Sequence, residues 1–252
     1  MRLLLDLGNT RLKWWALEGG RLLGDGAIAW SDPVGEHLAV AWTGLPPPEA
    51  VFGASVVDGE REALVEARVR QRRATGITWV RSPAAACGVR NAYAEPSRLG
   101  VDRFLAMVAA HAEGRTPCVL VGVGTALTLD ALLGDGQHLG GLIAPGPLLM
   151  QQSLLGATVQ VRPERPGEVI AMADNTADAV VSGCWGACAA LVERFVTQAE
   201  PQLGAAPHLL FGGGDAPSLQ KLVARPGALF PDGVLRGLAV WSSTALPTGA
   251  AD

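Results

Sequence analysis

The sequence predicts an α/β protein made of two related domains that face each other. Three observations carry this. An apolar strand, a glycine turn and a second strand open the chain at Leu3–Leu17, and the same order returns at Cys118–Leu133. Short strands in an antiparallel meander then give way to alternating helix and strand, the signature of a sheet with an antiparallel edge. The two glycine turns, DLGNTRLKW and GVGTALTLD, form a short internal repeat in which Gly124-Thr125 stands where Gly8-Asn9 stands. The boundaries expected from this are roughly 1–114 and 115–252, with Thr116-Pro117 at the junction.

Taken in order, Leu3–Leu5 and Leu12–Leu17 read as strands around the Gly8-Asn9 pair, both of whose members tolerate positive φ. Leu22-Leu23 and Ala27–Trp30 read as two further strands separated by a Gly24-Asp25-Gly26 turn. A short helix is expected over 33–43, with Ser31 or Asp32 as cap and Pro33 at its first position. Pro46-Pro47-Pro48 is a loop, and Ala50–Val57 a buried strand. Glu60–Arg73 reads as an amphipathic helix with Ala63, Leu64 and Ala67 on its apolar side, followed by a strand at Ile77–Val80. Residues 84–103 lack periodicity and hold the single tyrosine, Tyr93, as binding loops often do. Phe104–Glu113 is a helix ended by Gly114.

In the second half, strands at Cys118–Val123, Ala126–Leu133 and up to Ile143 flank the turn Gly134-Asp135-Gly136. An apolar segment, Leu148–Leu155, follows Pro145-Gly146-Pro147, and 158–174 is a polar, proline-bearing excursion. Asp174-Asn175-Thr176 caps a long small-residue helix, Ala177–Ala199. A strand at Leu209–Phe211 runs into Gly212-Gly213-Gly214; helices follow at Ser218–Val223 and Val234–Trp241, the last returning towards the first domain.

Composition narrows the class of function. With 49% apolar and 17% charged residues, 32 glycines and 252 residues in all, the chain has ample core and is not disordered. A net charge of −4 and no basic run denser than Arg68, Arg70, Arg72 and Arg73 argue against nucleic acid as a partner. Four scattered cysteines make no disulfide scaffold; Cys184 and Cys188, one helical turn apart, read as small core residues rather than metal ligands. No uninterrupted apolar run approaches the ~20 residues of a membrane helix, and Asp6 interrupts the apolar start. A cytoplasmic protein with no membrane partner is expected.

Three glycine-bearing turns each follow an apolar strand: Asp6–Thr10, Gly122–Thr125 and Gly212–Asp215. Singly each reads as a plain turn. Together they read as two phosphate turns and a patch over which an adenine or ribose could lie, because glycine lets backbone approach a ligand closely. Thr10 and Lys13 could add donors, and Asp6 could hold a divalent metal through water. Phosphoryl transfer further needs a carboxylate beside the acceptor hydroxyl. Asp102-Arg103 supplies an acid, ordinarily a carboxylate at neutral pH, next to a guanidinium. Asp102 reads equally as the cap of the helix that begins at Phe104.

RNAYAEPSRLGVDR (90–103) resembles the Tyr-x-x-Pro-x-x-Leu-Gly-x-Asp-Arg motif of the type III pantothenate kinases. DLGNTRLKW (6–14), GTALTLD (124–130), GGLIAPG (140–146), DNTADAVVSG (174–183) and FGGGDA (211–216) resemble that family's other motifs in order and spacing. The resemblance implies two ribonuclease H-like domains of the ASKHA, actin-like kind, with mixed sheets and an inter-domain cleft. It implies ATP and pantothenate as substrates, 4′-phosphopantothenate as product and a first step towards coenzyme A. Asp102 would be the catalytic base; Tyr93, Gly100, Val101 and Arg103 would bind pantothenate, as would Thr176, across a homodimer interface. Asp6, Leu7, Gly8, Asn9, Thr10, Arg11, Leu12 and Lys13, with Thr125, would bind ATP and its Mg2+, Gly212 and Gly213 lying under the nucleoside.

One position departs from the family pattern. The family usually has an aspartate two residues before the Gly-Thr pair, associated with a monovalent cation, K+ or NH4+; here it is Gly122. A weakened cation site, a site rebuilt from Asp130 or a backbone carbonyl, and a non-catalytic regulatory or ligand-binding protein on the same scaffold are the readings this leaves. The intact Asp102 and Arg103 favour the kinase.

Overall fold

The computed structural model describes residues 1–72, 76–204 and 206–245; Arg73, at the end of the expected arginine-bearing helix, lies outside them. The first half opens with β1 (Arg2–Leu7), β2 (Arg11–Glu18) and β3 (Arg21–Ala29), and continues through α1 (Val34–Ala41), β4 (Ala50–Ser55), α2 (Gly59–Gln71) and β5 (Thr78–Trp79). The meander is antiparallel, β4 and β5 add in parallel, and the sheet runs β3-β2-β1-β4-β5. The period of two in β1 sorts its leucines. Leu3, Leu5 and Leu7 join Val34, Leu38, Val65 and Val69 of α1 and α2 in one core, leaving Leu4 and Asp6 on the other face.

Three local expectations are corrected here. Gly24-Asp25-Gly26 is not a turn but the middle of β3. Trp14 of β2 sits opposite Gly26, and its indole Nε1 lies 2.6 Å from where a Cβ on Gly26 would stand. The glycine makes room for a ring. Helix α1 has Pro33 at its cap position and no side-chain cap from Ser31 or Asp32. In α2 the buried stripe is Val65 and Val69, with Leu64 exposed, and the Asp58 carboxylate caps it by accepting from the Arg61 N–H at 2.9 Å.

The segment expected to be irregular contains a small hairpin, β6 (Ala85–Ala86) and β7 (Val89–Arg90), then a turn of 3-10 helix at Pro96–Arg98, then α3 (Val101–Ala112). Cys87 and Gly88, at φ 52° and 82°, make the two-residue hairpin turn. Apolar residues at 101, 104, 105 and 108 bury α3, which stops at Gly114 with φ 66°.

The second half repeats the arrangement. β8 (Cys118–Val123), β9 (Ala126–Leu132), β10 (His138–Pro145), α4 (Pro147–Ala157), α5 (Thr176–Leu203), β11 (His208–Gly212), α6 (Ala216–Gln220) and β12 (Ala228–Leu229) follow, and the sheet runs β10-β9-β8-β11-β12. Residues 8–11 separate Leu7 from its ladder partner Leu12, whereas only 124–126 separate Val123 from Leu127. The second turn is therefore one residue shorter. By register Gly122, opposite Thr128, occupies the place of Asp6, opposite Lys13.

Helix α7 (Gly233–Ala245) corrects the expected boundary of the second domain. It belongs with Met1–Glu113, while Gly114–Asp232 forms the other unit. Leu235 and Leu238 of α7 join Val101 and Leu105 of α3, and Leu4, Phe52 and Ala54 of the sheet. Gly237 lets α7 touch the Leu105 carbonyl, where a Cβ would collide. Within α5 an 18-residue stretch is apolar enough, by length and composition only, to cross a membrane. Here its stripe Trp185, Cys188, Val192, Val196 and Ala199 packs on Val119, Val121, Leu127 and Leu129 of the second sheet.

Cys118, Cys184 and Cys188 are buried and Cys87 is half-buried. Burial, with Asp130 nearby, pushes the Cys118 thiol up to about 12, and burial, with Cys184, pushes Cys188 up to about 11. Thiolate is the reactive form. Iodoacetamide at pH 8 is expected to alkylate Cys87 in the native protein, leaving Cys118 and Cys188 unmodified until denaturant is added, as peptide mass spectrometry would read.

Candidate active site

In the first unit the Asp6–Lys13 stretch closes β1 onto β2. The Gly8 N–H donates to Arg11 O at 3.1 Å, and Leu7 O accepts from the Val56 N–H at 3.1 Å. Trp30, just past β3, grips the turn twice: its indole N–H donates to Gly8 O at 2.7 Å and its backbone N–H to Thr10 O at 3.3 Å. Asn9, Thr10 and Arg11 are exposed. Leu7 and Leu12 are buried in the core beneath, so only their backbone could face a ligand. Asp6 and Lys13 are opposite charges facing one another across the ladder.

Asp6 also shares the sheet face that α3 and α7 cover, and α3 carries the second part of the site. Gly100, not Asp102, is the cap of α3; Asp102 lies in the first helical turn. Its Oδ1 lies 2.5 Å from the position a Cβ on Gly100 would take, so the missing side chain is what admits the carboxylate. Val101 points into the core. Arg103, buried, donates from Nη1 to the Tyr93 hydroxyl at 3.1 Å, its guanidinium carbon 5.9 Å from the Tyr93 ring centre. Tyr93 is set by Asn91, whose Oδ1 accepts from the Tyr93 N–H at 3.0 Å while its Nδ2 donates to Pro83 O at 3.2 Å and Pro96 O at 3.1 Å. Buried Ser82 donates to Leu99 O at 2.7 Å and holds the strand-to-helix bend. Neither Asn91 nor Ser82 carries a sequence signal, since each acts through side-chain hydrogen bonds to backbone that no spacing rule marks.

In the second unit three glycine segments meet. Gly146, the cap of α4, donates its N–H to Thr125 O at 2.8 Å. A Cβ there would strike the Gly124 carbonyl, and one on Gly213, at φ 100°, would strike that of Val123. Thr125 is exposed beside them. Thr176 is exposed at the first position of α5, two residues before the buried Asp178. Arg165 grips Asp178 with two hydrogen bonds of 3.1 and 2.7 Å, Asn175 Nδ2 donates at 2.7 Å and the Glu168 N–H at 2.8 Å. Arg165, then Asn175 and the Glu168 amide, hold the Asp178 carboxyl well below the usual carboxylate range. A depressed pKa means the anchor is fully present at neutral pH and fails only in strong acid.

The residues at Gly122 do not fit a carboxylate-bound cation. Gly122 brings no ligand, and the place its Cβ would take is filled by the Thr128 hydroxyl. Asp130 is buried and its Oδ1 lies 3.0 Å from His138 Nε2. Among the described residues no three of His, Cys, Asp and Glu gather as a metal site. That does not exclude Mg2+ brought by a nucleotide, which needs only one or two carboxylates besides water and phosphate.

A model of the family described as type III pantothenate kinase matches residues 2–198. The chain belongs to the type III pantothenate kinase family. A type III pantothenate kinase of Stenotrophomonas maltophilia (strain K279a) is 45% identical over 244 residues, 95% of this chain and 96% of that one. One from Xanthomonas oryzae pv. oryzae (strain PXO99A) is 43% identical over 246 residues, 96% and 97% of the two. Among solved structures, component A of (R)-2-hydroxyglutaryl-CoA dehydratase from Acidaminococcus fermentans superposes with a TM-score of 0.53 at 12% identity, over 97% of this chain and 99% of that one. MreB 5 of Spiroplasma citri gives 0.50 at 8%, over 97% and 96%. At these identities the likenesses are of fold alone, an α/β arrangement with mixed sheets.

Proposed function

We propose that this chain transfers the γ-phosphoryl group of ATP to the hydroxyl of pantothenate, giving 4′-phosphopantothenate and ADP, with Asp102 as the base. The observation that carries the reading is Asp102 in the first turn of α3, beside the Tyr93–Arg103 pair, in a chain of this family. The hydroxyl oxygen attacks phosphorus, its proton passes to the Asp102 carboxylate, and ADP leaves with the bond's electron pair. Tyr93, Arg103 and the backbone at Gly100 and Val101 hold pantothenate. The Asp6–Lys13 turn, Thr125, Gly212 and Gly213 hold ATP. Mg2+ entering with ATP, held by Asp6 through water, would neutralise phosphate charge.

We further propose a homodimer in which Thr176 contacts the pantothenate bound to the other subunit. In support, α4 buries only Pro147, and Leu148 (49%) on it and Ile143 (64%) just before it are left exposed. Light scattering tests it directly.

A coupled assay for ADP tests the reaction. Release that requires pantothenate, and is not matched by other small hydroxylated acids, supports it; nucleotide binding without release would instead mark a non-catalytic protein. In the same assay, exchanging potassium for choline at constant ionic strength is expected to change kcat by less than about twofold, because no carboxylate stands at 122 to hold the ion. A strict potassium requirement would show that the cation is held elsewhere.

A further inference from the structure

Trp30 is outside every motif, yet it holds the first phosphate turn from behind. A trans peptide is planar, so the C=O of one residue and the N–H of the next point in opposite directions. The indole N–H fixes the Gly8 carbonyl on its own side at 2.7 Å, which turns the Asn9 N–H the other way. Without that bond the Gly8–Asn9 peptide could flip, because the flip turns ψ of Gly8 and φ of Asn9, and glycine and asparagine both tolerate the change. A flipped peptide would put a carbonyl oxygen where an anion is to sit.

The indole is itself fixed. Trp30 packs on the core beneath the first sheet. The Arg61 guanidinium lies 5.2 Å from its ring centre, and Arg61 is paired with the Asp58 cap of α2 at 3.5 Å. The backbone N–H of Trp30 on Thr10 O ties down the other end of the turn.

We propose that Trp30 is a positioning residue for nucleotide phosphate: its indole N–H sets the Gly8–Asn9 peptide so that the Asn9 amide is presented to the anion. This rests on the Asp6–Lys13 turn being an ATP site, as proposed above. Trp30→Phe keeps an aromatic ring under Arg61 and removes the N–H. Losing one hydrogen bond and freeing the flip is expected to raise the KM for ATP, and the Kd for ADP by calorimetry, about tenfold. The KM for pantothenate should stay within about twofold, since its pocket is built from α3 and Tyr93.

Calorimetric stoichiometry counts folded protein, so a merely structural role would lower stoichiometry or melting temperature with the Kd of the folded fraction unchanged. That result overturns the proposal. Should Trp30→Phe not fold, Arg61→Gln loosens the ring's seat; a rise in ADP Kd of about threefold supports the proposal and an unchanged Kd overturns it. The two readings separate cleanly. Wild-type protein that binds ADP but releases none with pantothenate defeats the kinase assignment and leaves the Trp30 titration decisive, whereas wild-type protein that binds no nucleotide overturns both.

Discussion

Asp102→Asn is expected to lower kcat for pantothenate phosphorylation by about a thousandfold, within the range a general base supplies, while leaving the protein folded. Asparagine keeps the shape of the side chain and cannot take the proton. The stability cost is small because Gly100, not Asp102, is the cap. The helix itself loses the attraction between a carboxylate and the N-terminus of α3, about 0.3–1 kcal/mol. Initial rates set beside a thermal melt separate the two effects. A variant with near wild-type turnover would remove Asp102 from the role of base, whatever the fate of the family assignment.

The second large effect is expected at Gly213. Its φ of 100° is a conformation that residues with a Cβ rarely adopt, and the Cβ would meet the Val123 carbonyl. That carbonyl already accepts the Asp215 N–H at 3.3 Å, so it cannot give way freely. Gly213→Ala is expected to cost about 3 kcal/mol or more, or to displace the Gly124–Thr125 turn and raise the KM for ATP more than about tenfold. Gly214→Ala, with nothing within 4 Å of its Cβ position, should melt within about 0.5 kcal/mol of wild type. Equal melting and equal KM for both variants would mean that the glycine patch is plain loop.

The strand skeleton was legible because apolar runs such as Cys118–Val123 are buried on both faces and end at glycine turns. What misled was glycine used for space rather than for turning. Gly24 and Gly26 look like a turn in sequence and are a strand interior, because the ring they accommodate comes from the neighbouring strand. The apolar side of α2 was misplaced for a related reason: alanines are neutral about burial, and the two valines decide. The Cys87-Gly88 turn left no mark, cysteine being uncommon at positive φ.

At the candidate site the motif residues were legible as motifs, and their supports were not. Gly100 could be read as a binding residue; that it clears room for the Asp102 carboxylate depends on a side-chain rotamer. Gly122 could be read as a missing acid, but only the ladder shows the Thr128 hydroxyl in its place. Trp30 acts through a carbonyl oxygen 22 residues back and Asn91 through carbonyls on either side of its own loop, and no spacing rule marks either.

The placement of α7 bears on how the chain is completed during synthesis. Residues 1–113 leave the ribosome before α7, yet the face formed by Leu4, Phe52, Val101 and Leu105 has no Leu235 or Leu238 against it until α7 has emerged. The unit spanning 114–232 is contiguous and can close in the meantime, which reverses the usual N-terminal-first order of domain folding. A nascent chain stalled before Gly233 would therefore offer a greasy, half-covered sheet to chaperones, and a stop codon placed there would injure the part of the protein made earliest.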